Sequence, residues 1–83
     1  MNKIKLIGQF DTPTFQRNLA AAKWAEKANF IELEVEEMFE FQWKEYCLAQ
    51  RDTFTQLWDT QLEHFITLNG TYTVMNTVMN HVL

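Results

Sequence analysis

At Phe30 the chain changes its hydrophobic period. Upstream, Phe15, Leu19 and Ala22 fall on one face of a helical repeat; downstream, Ile31, Leu33 and Val35 alternate with Glu32, Glu34 and Glu36. Alternation puts the apolar side chains on one side of a strand and the carboxylates on the other, so Phe30 to Glu36 is predicted as a strand with one wet face. A row of glutamates also repels a second strand carrying the same pattern, which places this strand at a sheet edge.

The flanking segments supply the rest of an α/β order. Ile4, Leu6 and Ile7, followed by Gly8 and Phe10, form a β-branched apolar run expected to be a buried central strand. In Asp11-Thr12-Pro13, the Thr12 hydroxyl is suited to cap a helix and Pro13 to its first turn, where a missing N–H costs nothing. That helix runs to about Ala28, with Arg17, Lys23 and Lys27 in solvent. A second helix from about Glu37 to Gln50 is expected to bury Phe39, Trp43 and Cys47, with Phe41, Tyr46 and Leu48 widening its apolar surface. Thr53 to Trp58 and Leu62 to Leu68 read as two strands joined by a turn at Asp59-Thr60-Gln61, and Asn69-Gly70 as the break that ends the second. Thr71 or Thr73 then caps a last helix with Val74, Val78 and Val82 in one row and Met75, Met79 and Leu83 in the next. The order is β-α-β-α-β-β-α, a four-stranded mixed sheet with helices on both faces, in one domain spanning residues 1–83.

The 83 residues hold one cysteine, Cys47, which excludes an internal disulfide, a CxxC pair and a thiolate zinc site. Its place on an aromatic helix face reads as structural. His64 and His81 lie far apart in sequence and outside any ligand motif, and the glutamate row reads as a solvated face, so no metal is expected. Lys3, Lys5 and Gln9 interrupt the first apolar residues, so neither a signal peptide nor a membrane segment is expected and the chain reads as soluble and cytoplasmic. Residues 1–31 carry five bases against two acids, and residues 32–63 nine acids against two bases. An acidic middle is wrong for a nucleic-acid binder, whose affinity comes from clustered Lys and Arg.

The element order and three local motifs resemble the glutaredoxins of the thioredoxin superfamily. Lys5-Leu6-Ile7-Gly8 before Asp11-Thr12-Pro13-Thr14-Phe15 is similar to the family's first strand and Cys-Pro-Tyr-Cys helix start, with Thr12 and Phe15 at the cysteine positions. Thr53-Phe54-Thr55-Gln56 resembles the Thr-Val-Pro-Gln strand, with Thr55 in place of the cis-proline, and Asn69-Gly70 resembles the Gly-Gly turn before the last helix. The resemblance implies a thioredoxin-like fold with a ligand groove at Thr12, Phe54, Thr55, Asn69 and Gly70. It also implies lost redox catalysis, because that chemistry needs a thiolate at the helix amino terminus and an alcohol there stays protonated. The small size resembles compact phage glutaredoxins, which implies an accessory or virion component. The amino-terminal domain of glutathione S-transferases offers the alternative: Thr12 would hydrogen-bond a glutathione thiolate in a glutathione-dependent oxidoreductase or transferase. That family's cis-proline and Glu-Ser pair are missing here, so no cofactor is expected and glutathione is the weaker reading.

From His64 to Leu83 the sequence carries no formal charge. Thr73, Asn76, Thr77, Asn80 and His81 stand where a solvent-facing helix ordinarily carries Lys and Glu, and charge depletion of this kind marks contact surfaces. The expectation is therefore a redox-inactive glutaredoxin-like binding or structural component whose last helix meets another protein chain or a second copy.

Overall fold

The structure, a computed structural model, describes residues 2–59 and 61–82, the side chains of His81 and Val82 excepted. Its elements are β1 (Asn2–Gln9), α1 (Pro13–Lys27), β2 (Ile31–Met38), α2 (Glu40–Gln50), a 3-10 turn (Thr55–Trp58), β3 (His64–Leu68), β4 (Thr71–Thr73) and α3 (Met75–Val82). The sheet order is β2-β1-β3-β4. β1 and β2 are parallel because α1 carries the chain back between them, while β3 runs antiparallel to both β1 and β4. Thus β1 is central and β2 lies at an edge.

Alternation along β1 feeds two cores. Ile4 and Leu6 point to the side covered by Phe15, Leu19 and Ala25 of α1 and Val78 of α3, joined by Ile66 of β3. Ile7 points the other way, with Phe65 and Met38, to Trp43 of α2 and Leu57 of the 3-10 turn. Burial on both faces explains why β1 reads as a nearly continuous apolar run. The glutamates of β2 share the α2 side of the sheet and are exposed there, with Glu34 and Glu36 reaching Lys3 and Lys5 at 3.8 and 3.9 Å. Pairs this open add little stability.

Two junctions use left-handed backbone. At the end of α1, Asn29 has φ 65°, and the amides of Asn29 and Phe30 return to the carbonyls of Glu26 and Ala25. This double closure satisfies the last carbonyls of the helix. Between β3 and β4, Asn69 and Gly70 have φ 52° and 89°, the signs that a tight two-residue hairpin requires.

Several expectations are corrected. Thr53 to Trp58 is not a strand: a turn leads into the 3-10 turn, whose Leu57 alone is buried. The third and fourth strands are therefore β3 and β4, so Asn69-Gly70 is their hairpin and not the break before α3, and Thr71 and Thr73 lie in β4 instead of capping that helix. Asp59 and Gln61 still form a turn, with the Gln61 amide donating to Asp59 Oδ1 at 2.9 Å, but it links the 3-10 turn to β3; Thr60 and Leu83 lie outside the described residues. Phe39 is exposed, not buried, because as the residue preceding α2 it is extended and projects outward, edge-on to Phe10 and stacked on Phe41. Phe41 and Leu48 are exposed as well.

Candidate functional site

The start of α1 is organised by Gln9, the last residue of β1. Pro13 takes the first turn as expected. Thr12 is extended and holds the cap position, but its hydroxyl donates to the Gln9 carbonyl at 2.9 Å and accepts nothing from the helix amides. The expected hydroxyl cap is thus corrected to a bond back to the strand. Phe15 is completely buried in the core between α1 and the sheet. Thr14 is exposed and faces a shallow hollow of about 250 Å³ whose opposite wall is the segment from Gln61 to His64.

That segment approaches β1 closely enough to demand Gly8. A Cβ there would lie 2.7 Å from the Glu63 carbonyl oxygen and 2.8 Å from His64 Cα. The Gln9 amide donates to the same Glu63 carbonyl at 3.0 Å. His64 Nε2 lies 2.7 Å from Asn18 Nδ2, and His64 Nδ1 is buried with no hydrogen-bond partner. Burial lowers the imidazole pKa, with Glu63 opposing in part. Asn18 and His64 are the residues that sequence reasoning missed here, for a pair 46 positions apart has no local signal.

The remaining groove residues are not brought to this hollow. Phe54 packs on Phe65, centroids 4.8 Å apart, in the core on the α2 side, and Thr55 opens the 3-10 turn beside α2. Asn69 is tied to the other end of β1: its amide donates to the Lys3 carbonyl at 2.8 Å and its Oδ1 accepts from the Lys3 amide at 2.9 Å. The run from Lys3 to Gln9 is about 20 Å of strand at about 3.3 Å per residue, so Asn69-Gly70 and Thr12 sit at opposite ends of the sheet.

Cys47 lies in α2, half-buried against Trp43 and its neighbours, and burial pushes its thiol pKa up. Among the described residues no three His, Cys, Asp or Glu side chains gather as a metal site, and no helix is long and apolar enough to cross a membrane. On α3, Val78 is buried against α1 and the sheet, while Asn76, Thr77 and Asn80 are exposed; Thr73 in β4 is half-buried, and the His81 side chain is outside the described residues.

A second concavity, larger than the hollow beside Thr14, was not anticipated. It is a cleft between α2 and the 3-10 turn, with Trp43 at its base fixed by a 2.9 Å hydrogen bond from Nε1 to the Leu62 carbonyl. Its signal in the sequence is the coincidence of Lys44, Arg51 and Trp58 on elements flanking one apolar helix face. Comparison of the chain with protein-family models and with curated proteins finds no match.

Proposed function

We propose that this chain is a thioredoxin-like domain of glutaredoxin type that works by binding, not by thiol chemistry, as a component of a larger protein assembly. The sheet order β2-β1-β3-β4, with α1 and α3 on one face and α2 on the other, is the layout that the resemblance implies. The observation that carries the reading is the state of the two positions where the family holds its cysteines. Thr12 spends its hydroxyl proton on the Gln9 carbonyl, and Phe15 is sealed in the core. Neither supplies a thiolate, and the one thiol, Cys47, belongs to a different helix where burial keeps it protonated.

The contact surface in this reading is the outer face of α3. Exposed Asn76, Thr77 and Asn80 form a hydrated but uncharged strip beside exposed Val74, which another protein chain or a second copy can cover without desolvating ions. Sedimentation of the natively produced protein should reveal an assembly larger than 9.9 kDa. Asn76→Glu combined with Asn80→Lys should dissolve it while the circular dichroism spectrum stays unchanged. Glutathione should support neither mixed-disulfide reduction nor conjugation above background. Turnover that disappears in Thr12→Ala would instead favour the glutathione-dependent reading.

A further inference from the structure

We infer that the cleft between α2 and the 3-10 turn is a binding site for a small apolar carboxylate. The cleft encloses about 330 Å³, at the lower end of the range of about 300–1,000 Å³ typical of ligand clefts. Trp43 and Leu57 are buried at its base, whereas Leu48 and Trp58 on its walls are 62% and 54% exposed. Apolar walls standing in water are the surface that an apolar ligand withdraws from solvent.

The charges select the head group. After Lys27 the sequence contains two bases, Lys44 and Arg51, among nine acids, and both line this cleft. Their roles differ. Lys44 is engaged by Glu40 at 3.0 Å, one turn away on α2. The guanidinium of Arg51 lies 3.9 Å from the centroid of the Trp58 ring and takes part in no ion pair among the described residues. Stacking uses the face of a guanidinium and leaves its in-plane N–H groups free, a fork that fits a carboxylate. With Lys44 held by Glu40, Arg51 is the base of the lining that has no carboxylate partner among the described residues, and the one acid there, Asp59, accepts from the Gln61 amide. An acyl or aryl body against Leu48, Leu57 and Trp58, with its acid group on Arg51, satisfies both the shape and the charge. Cys47 also lines the cleft, and since a carboxylate offers its thiol no electrophile the site binds without forming a covalent bond.

Decanoate below its micellar concentration is the probe, added to the full chain and followed by 1H–15N NMR. It should give saturable shifts clustered at Cys47, Leu48, Arg51, Leu57 and Trp58, and should slow alkylation of Cys47 by iodoacetamide. Arg51→Gln should weaken binding about tenfold or more, as expected for a lost charge-assisted hydrogen bond. Leu48→Glu, on the exposed wall, should abolish it, with both variants retaining the wild-type fold by NMR. Decyltrimethylammonium should leave these resonances unmoved. Shifts of equal size with the cation, shifts scattered over the surface, or undiminished affinity in folded Arg51→Gln would each overturn the assignment.

Discussion

The side chains of Asn18 in α1 and His64 at the start of β3 meet at 2.7 Å. The second ring nitrogen of His64 is buried without a partner, so a charged ring would lose hydration on that side and recover no hydrogen bond for it. Burial accordingly holds its pKa below the usual imidazole value of about 6.5. As pH falls through that value the unfolded chain takes up a proton that the folded chain refuses, and stability declines until the folded pKa is reached. Above the unfolded value of about 6.5 both states are neutral and nothing is lost. Urea unfolding between pH 7.5 and the onset of carboxylate titration should show this loss on acidification, and His64→Gln should flatten it. An unchanged slope in the variant would assign the effect to other groups.

Gly8→Ala should destabilise the protein by about 1–3 kcal/mol, the usual cost of overpacking. The added methyl meets the Glu63 carbonyl oxygen and the His64 Cα, atoms of a backbone that is itself bonded to Gln9 and paired with β1. Relief requires β3 to move away from β1. The variant should show a lower urea midpoint with an unchanged slope, and faster amide exchange at Gln9.

How far the fold was legible depends on whether each signal was local. The change of period at Phe30, Pro13 at the first position of α1 and the glutamate row each act within one element, and the strands and helices they imply stand at the expected places. The segment from Thr53 to Leu68 misleads because its aromatic and β-branched residues suit a strand while their burial is decided by α2. Leu57 and Phe54 are held against that helix's core, and a 3-10 turn delivers them there. Asn69-Gly70 carried a correct hairpin signal, obscured because the strand that follows has only three residues. The site was less legible than the fold. Thr12, Pro13 and Phe15 lie next to one another in sequence, but Gly8, Asn18 and His64 are united only by the pairing of β1 with β3.

Asn29→Gly should stabilise the chain by up to about 1 kcal/mol. Asn29 closes α1 in the left-handed region, where a residue with a Cβ pays about 1–2 kcal/mol relative to ordinary backbone and asparagine somewhat less. Its closing bonds come from the main chain, from the Asn29 and Phe30 amides, so glycine preserves them. The thermal midpoint should rise without a change in the NMR contacts of α1. A drop would mean that glycine's added freedom in the unfolded state outweighs the relieved strain.

Cys47 should alkylate slowly under native conditions. Reaction requires the thiolate, and burial beside Trp43 raises the thiol pKa, with Cys47 well inside α2 and away from its amino terminus. The rate with iodoacetamide at pH 7 should be well below that of the same chain in urea and should climb steadily up to and beyond pH 9. A reactive site thiol would instead plateau near neutrality. The same measurement bears on the proposed absence of redox function: a thiol that stays protonated cannot open a disulfide, and Cys47→Ser should leave partner assembly intact while eliminating the alkylation signal.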